Sequence, residues 1–159
     1  SIQHASQALS SLPGSLDIMD NVHVEAERLS GIVRTAAASR PIHLVIVDYL
    51  QLLRCESTYS REREVASISA GLLSVSRHCD VPVVALSQLN DQGLVRESRT
   101  VEHDASAVLR IDYEDDAWVP GSGSVDCHLR VLKNRHGRTG SLALTFERKH
   151  QRFVERIYE

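Results

Sequence analysis

Two polar residues stand at the ends of apolar runs, where side chains can meet a ligand. Asp48 directly follows the run from Ile42 to Val47, and Gln88 lies just after the run from Pro82 to Leu86. In open sheets of parallel strands, ligands bind beyond the carboxyl ends of the strands. A carboxylate there can hold Mg²⁺ through water, and an amide can contact a terminal phosphate or orient water. The alternatives are an aspartate that caps a turn and a glutamine that serves as a hydrogen-bonded polar cap.

A phosphate-binding loop is not encoded in these residues. Such a loop needs Gly-Lys-Ser/Thr, because backbone N–H groups cradle the phosphates and the lysine neutralises their charge. The only lysines are Lys133 and Lys149, which follow Leu132 and Arg148. Neither lysine can belong to a phosphate loop.

The first half of the chain alternates between helical and extended patterns. A short extended stretch is predicted at 16–19 and helices at about 22–38 and 61–78. The apolar runs 42–47 and 82–86 are predicted as strands buried on both faces of a sheet. This order is the signature of right-handed crossovers and a parallel sheet. The residues predicted to form the buried face of the second helix recur at spacings of three and four: Val65, Ile68, Leu72 and Val75.

The pattern changes in the second half, where strands follow one another with little helix between them. His136-Gly137 and Thr139-Gly140 mark a tight connection in this part. We therefore predict an α/β fold, with a mostly parallel sheet flanked by helices and an antiparallel C-terminal extension. The predicted strands of the extension are 107–111, 125–132, 142–146 and 153–157.

Size and composition indicate one domain that covers residues 1–159, without a membrane span. The net charge of −3 argues against a protein that coats nucleic acid through a general basic field. Cys55, Cys79 and Cys127 lack metal-ligand spacing, so we expect reduced thiols and a cytoplasmic location. The chain begins Ser1-Ile2 without an initiator methionine, which suggests processing or a fragment.

An ordered series of motifs over most of residues 13–157 resembles the C-terminal domain of DnaB-type replicative DNA helicases. The stretch from Val45 to Leu52 looks like the Walker B strand of this family. The resemblance implies a RecA-like fold, of which this chain is a part, and a motor that uses ATP and Mg²⁺ to move on single-stranded DNA as a hexameric ring. The other matching segments are Arg63-Glu64-Val65, Ile68-Ser69, Val81-Pro82-Val83, 85–90, Arg96-Glu97-Ser98, Glu102, Asp104, 133–140 and Arg152-Phe153.

The resemblance also implies residue roles. Asp48 corresponds to the Walker B carboxylate that orders magnesium and water, and Gln88 to the glutamine that links the γ-phosphate to the DNA-binding loops. Lys133 and Arg135 resemble the basic pair that reaches the nucleotide of a neighbouring subunit, with Arg135 as an arginine finger. Without the resemblance, the two would be read as a solvated pair beside a hairpin turn.

Residues in one loop match the part of the family that faces single-stranded DNA. Arg96 would contact a phosphate and Glu97 would orient neighbouring donors, which gives affinity without sequence preference. Two positions depart from the family pattern. Arg99 stands where a glycine is usual and either adds a phosphate contact or blocks a close approach, and Asp91 stands where arginine is common. The alternative is an exposed charged loop without a role in DNA binding.

The family's catalytic glutamate and central phosphate-loop strand have no matching segment in this sequence. We therefore expect no ATP hydrolysis by this chain alone, and either marginal stability or self-association because a sheet position is unfilled. Two alternatives stay open. One is a non-catalytic RecA-like assembly or DNA-binding module, or a decayed remnant; the other is a different RecA-like ATPase, such as a recombinase paralogue.

Overall fold

The computed structural model describes residues 11, 14–20, 25–54, 60–89, 99–114 and 123–156. Their strands form a two-stranded parallel sheet, β1-β2, and a four-stranded antiparallel sheet of order β3-β4-β5-β6. In chain order the elements are α1 (Ala26–Ser39), β1 (Val45–Val47), a 3-10 turn (Leu50–Leu52), α2 (Arg61–Cys79), β2 (Val83–Ala85), α3 (Arg99–Asp104), β3 (Ala107–Tyr113), β4 (Ser124–Asn134), β5 (Gly140–Glu147) and β6 (Arg152–Glu155).

The main core lies where α1 and α2 pack on one face of the parallel sheet. Val45, Val47 and Val83 point from the strands into this core. Removal of a Leu, Ile or Val side chain from water contributes about 1.5–3 kcal/mol, so this cluster is the main source of stability for the parallel half. The buried members are Leu29, Val33, Leu50, Leu53, Ile68, Leu72, Val75 and Val81.

Helix α2 is confirmed almost residue for residue. All four residues predicted for its inner face are buried, and the helix begins and ends where local chemistry favours it. The Ser60 side chain accepts a hydrogen bond from the Arg63 amide at 3.4 Å, and Asp80 ends the helix in the left-handed region with φ 50°. The first helix, predicted from residue 22, begins at Ala26 in the described part.

The prediction that both parallel strands are buried on two faces is wrong for this chain. Each strand is only three residues long. Ile46 is 60% exposed and Val84 47% exposed, because α1 and α2 cover only the opposite face. The apolar runs continue beyond the paired residues, and Leu44 and Leu86 are exposed as well.

The antiparallel extension is confirmed, and in the described residues it forms a sheet of its own. Its first three strands are longer than predicted, and β6 is Arg152–Glu155 where 153–157 was predicted. One irregularity interrupts the β3-β4 pairing: Val108 pairs with Lys133 but Leu109 pairs with Val131, so Leu132 is an extra residue on β4. This is a β-bulge.

The two faces of the antiparallel sheet differ in character. One face carries paired charges: Asp112 lies 2.7 Å from both Arg110 and Arg130, and Arg156 pairs with Asp126 and Glu114. On the other face only Val125 and Cys127 are buried. Leu129, Val131, Leu144 and Phe146 on this face are half-buried. Five other large apolar side chains of the face are at least 40% exposed: Leu109, Ile111, Tyr113, Leu142 and Phe153. No helix among the described residues is long and apolar enough to cross a bilayer.

Truncation of the core should be costly, whereas truncation of the exposed sheet face should not. Ile68 is fully buried between α1, α2 and the parallel sheet. We expect Ile68→Ala to lower the free energy of unfolding by about 2–5 kcal/mol. Ile46→Ala removes the same atoms from an exposed site and should cost about 0.5 kcal/mol or less. Urea unfolding followed by circular dichroism measures both, and equal losses would show that the core lies elsewhere.

The exposed apolar face of the antiparallel sheet should make the isolated chain self-associate, because contiguous apolar surface of this kind is unfavourable in water. Sedimentation velocity should show a weight-average mass that rises with concentration. Leu109→Glu should reduce this association, whereas Arg138→Glu on the β4-β5 hairpin should not. A monomer with a sharp melting transition that is independent of concentration would contradict this prediction.

Candidate functional site

The parallel sheet brings Asp48 and Gln88 to the same edge, as the sequence predicted. Val47 pairs with Ala85, and the pairing continues into the loops: the Leu86 amide donates to the Val47 carbonyl at 2.9 Å, and the Leu50 amide donates to the Leu86 carbonyl at 2.9 Å. Asp48 lies between these two hydrogen bonds and is exposed. Its side chain has no hydrogen-bond or ion-pair partner among the described residues, so it does not cap a turn there.

Gln88 is exposed, and it lies two residues beyond the point where the strands diverge. Its backbone amide is held, since it donates to the Gln51 side-chain oxygen at 3.4 Å. Its own side-chain amide has no described partner. Within the described residues, the glutamine thus has a held backbone and a side-chain amide without a partner, which suits a residue that contacts a ligand.

Gln51 links the two strand ends and was not predicted as a site residue. Its Nε2 donates to Ser87 Oγ at 3.1 Å, while its Oε1 accepts from the Gln88 amide. Its carbonyl accepts from Arg61 Nη2 at 2.9 Å, and Arg61 is paired with Glu64 at 2.5 Å. Gln51 thus ties the turn after Asp48 to the segment that carries Gln88. In the sequence, the only signal was its place in the Asp-Tyr-Leu-Gln run.

Lys133 and Arg135 are brought together at the end of β4, on the carboxyl end of α3. Lys133 Nζ donates to the carbonyls of Glu102 and His103 at 2.8 and 2.7 Å, and Arg135 Nη2 donates to the same His103 carbonyl at 2.8 Å. This contradicts the interpretation of a purely solvated pair. No contact between described residues joins this pair to Asp48 or Gln88.

The predicted DNA-contacting residues are only partly covered by the structure. Arg96, Glu97 and Asp91 lie outside the described residues. Arg99 is the first residue of α3, and its side chain is outside the described part. Their roles stay predictions.

The described residues contain no group of three His, Cys, Asp or Glu side chains that could hold a metal ion. Asp48 is an exposed carboxylate at a strand end, which suits an ion that keeps water among its ligands, as Mg²⁺ does. Burial raises the pKa of the Cys127 thiol, and the neighbouring Asp126 carboxylate adds to this. That thiol stays neutral, as expected for a structural cysteine.

Comparison with protein families gives one match over nearly the whole chain. Residues 1–155 match the family model of the DnaB-like helicase C-terminal domain. Over 92% of the present chain, the sequence is 29% identical to the replicative DNA helicase DnaC of Bacillus subtilis. Over 70% of the present chain, it is 32% identical to the replicative DNA helicase DnaB of Geobacillus stearothermophilus. It spans only 36% of the Bacillus protein and 27% of the Geobacillus protein.

Solved structures give the same relationship. One solved ATPase domain superposes with a TM-score of 0.82 at 28% identity, over 98% of this chain and 59% of that domain. A DnaB-like replicative helicase, solved in a study of its interactions with primase, superposes with a TM-score of 0.74 at 28% identity, over 87% of this chain and 37% of that protein. These matches confirm the RecA-like fold that the resemblance implied.

The two glutamines at the strand ends should differ in what they contribute to stability. Gln51→Leu removes two hydrogen bonds, and we expect a loss of about 1–3 kcal/mol in the free energy of unfolding. Gln88→Ala removes an exposed head group without a described partner and should change stability by about 0.5 kcal/mol or less. Chemical denaturation of the two variants tests this difference. A larger loss for Gln88→Ala would mean that its side chain is structural.

Proposed function

The chain belongs to the DnaB-like helicase C-terminal domain family, and from this premise we propose that it is part of a replicative DNA helicase motor. The intact motor couples ATP hydrolysis to translocation on single-stranded DNA and to duplex unwinding. The observation that carries the proposal is the pairing of β1 with β2, which places Asp48 and Gln88 at one sheet edge, within a chain that matches the family over residues 1–155.

Asp48 and Gln88 form the part of the nucleotide site that this chain supplies. An exposed carboxylate at a strand end can hold the water shell of Mg²⁺, while phosphate oxygens fill other positions around the ion. The exposed amide of Gln88 can contact the terminal phosphate or orient the attacking water. When bound, ATP with Mg²⁺ supplies the phosphoryl group and the positive charge that makes its transfer possible.

The chain does not complete this site by itself. The sequence has no Gly-Lys-Ser/Thr segment, and both lysines lie in the antiparallel half. Without a phosphate loop, the nucleotide lacks the backbone N–H groups that cradle its phosphates. The chain therefore acts together with a segment that supplies this loop and the catalytic glutamate.

Lys133 and Arg135 act on the nucleotide of a neighbouring copy in a ring, which we propose to be hexameric and cytoplasmic. A guanidinium is planar and permanently charged, so it can stabilise the charge that spreads over phosphate oxygens during transfer. Arg96 contacts a phosphate of single-stranded DNA, Glu97 orients neighbouring donors, and Arg99 adds a second phosphate contact. The net charge of −3 gives no general basic field, so this contact depends on individual side chains.

Reconstitution tests the proposal. The chain alone should show no ATP turnover, and turnover should appear when a segment that carries the phosphate loop and the catalytic glutamate of a relative is added. Arg135→Ala should then lower the rate about a thousandfold or more, because an arginine finger contributes on this scale. Arg138→Ala removes the same charge from the same hairpin and serves as the control, with an unchanged rate.

Two outcomes would count against the motor. If the completed protein forms rings and binds DNA without any turnover, the chain is a non-catalytic module. If turnover appears but survives Arg135→Ala, the basic pair does not act across the subunit interface.

A further inference from the structure

The turn that carries Gln51 is fixed in place without the help of the Gln51 side chain. Gln51 is the middle residue of the 3-10 turn Leu50–Leu52. Leu50 is 2% exposed, and its amide donates to the Leu86 carbonyl at 2.9 Å. On the other side, Arg61 Nη2 donates to the Gln51 carbonyl at 2.9 Å from the first turn of α2. The backbone of Gln51 therefore belongs to the packed parallel half of the molecule.

The Gln51 side chain extends this order to Gln88. The ladder between β1 and β2 ends at Ala85 and does not reach Gln88. Beyond it, Gln51 Nε2 donates to Ser87 Oγ at 3.1 Å, and Gln51 Oε1 accepts from the Gln88 amide at 3.4 Å. The Ser87 hydroxyl donates to the Gln88 carbonyl at 3.3 Å. We refer to these three hydrogen bonds as the Gln51 clamp, which holds both the N–H and the C=O of Gln88.

The clamp leaves the groups that can meet a nucleotide accessible. Asp48 and Gln88 are exposed, whereas Gln51 is half-buried. The Gln51 head group is neutral, and its oxygen and nitrogen face Gln88 and Ser87. It therefore adds no charge to the site, and its influence on a nucleotide passes through the position of Gln88. A held backbone reduces the conformations from which the Gln88 amide can reach a ligand, which lowers the entropic cost of the reactive geometry.

We propose that Gln51 is a positioning residue for the ATP hydrolysis of the intact motor. Through the clamp it fixes the backbone of Gln88, and the exposed amide of Gln88 then acts on the terminal phosphate or the attacking water from a defined place. The inference rests on the proposed function, because only a chain that supplies Gln88 to a nucleotide site needs this residue held. Arg61, which is paired with Glu64 at 2.5 Å, links the clamp to the start of α2.

Amide hydrogen exchange on the 159-residue chain tests the clamp itself. Gln51→Met keeps an unbranched stem of similar length and removes both polar ends of the amide. We expect it to speed exchange of the Gln88 amide about tenfold, since this amide loses its acceptor. The Leu86 amide, which donates to the Val47 carbonyl at 2.9 Å, should keep its rate and so report an intact sheet. Unchanged exchange at Gln88 in the folded variant would overturn the clamp.

Gln51→Glu is the conservative variant for the same assay. It retains an acceptor for the Gln88 amide, and the Ser87 hydroxyl can donate to its second oxygen instead of accepting from Nε2. Exchange at Gln88 should therefore stay near the rate of the unchanged chain. Exchange as fast as in Gln51→Met would show that the side-chain acceptor does not protect the Gln88 amide, and the clamp would again be overturned.

The functional test measures ATP turnover by the reconstituted motor. Gln51→Met should lower kcat about tenfold to a hundredfold, because misplacement of a positioned group by about 1 Å costs on this scale. The KM for ATP and the affinity for ADP should change by about twofold or less, since the phosphate loop of the added segment binds the rest of the nucleotide. Gln151→Met is the matched control. The Gln151 side chain donates to the Arg148 carbonyl at 2.8 Å in the exposed turn before β6, and its loss should leave kcat unchanged.

A double-variant cycle separates positioning from a general effect on the fold. If Gln51 acts only through Gln88, Gln51→Met should change kcat by about twofold or less in a Gln88→Ala background. A further loss as large as in the single variant would mean that Gln51 acts independently of Gln88. A raised KM with unchanged kcat in Gln51→Met alone would mean that it serves nucleotide binding. Either result would overturn the inference.

The remaining outcomes separate this inference from the proposed function. If Gln51→Met fails to fold, Ser87→Ala decides in its place, because it removes two of the three clamp bonds outside the main core. Unchanged kcat in Ser87→Ala would then overturn the inference. Unchanged kcat in a folded Gln51→Met motor overturns it too, and leaves the proposed function standing. If the unchanged motor shows no turnover, the proposed function fails, while exchange at Gln88 still decides whether the clamp exists.

Discussion

The parallel pairing of β1 with β2 is the constraint on which the candidate site depends. Three residue pairs set the register, and two further backbone hydrogen bonds extend it past Asp48. So short a pairing persists because α1 and α2 press the valine side chains of both strands into one core. The core thereby fixes the distance between a carboxylate and an amide that are 40 residues apart in the numbering. Gln51 and Arg61 then hold the loops that leave this edge.

The sequence predicted correctly the elements that depend on residues close to one another along the chain. Helix α2 has a clear apolar period and a serine at its start, so both its range and its buried face follow from its own residues. Asp48 and Gln88 could be proposed because each follows an apolar run, and the carboxyl ends of neighbouring parallel strands share an edge. Burial was harder to predict. Ile46 and Val84 look like core residues in the sequence. Burial depends on which elements cover each face of the sheet, and a run of apolar residues does not specify this.

The contacts that sequence reasoning missed are those between distant residues. Gln51 meets Ser87 across 36 positions, and Lys133 meets the Glu102 carbonyl across 31. Both use backbone or side-chain groups that look ordinary in sequence. The carbonyls of α3 are not visible as ligands in any motif, since every residue has one. The resemblance pointed Lys133 toward a neighbouring subunit, and its contacts within its own chain emerged only from the fold.

The bulge at Leu132 determines on which side of the antiparallel sheet Lys133 lies. Along β4, Val125, Cys127, Leu129 and Val131 alternate onto the apolar face, and uninterrupted alternation would carry Lys133 onto that face too. The extra residue inverts the parity, so Lys133 pairs with Val108 on the side of Arg110 and Asp112. The side of the sheet on which Lys133 lies is thus set by the number of residues in β4 rather than by their types. Deletion of Leu132 would give a regular ladder with the lysine still opposite Val108, whereas regular pairing of the full-length strand would turn Lys133 toward the opposite side of the sheet.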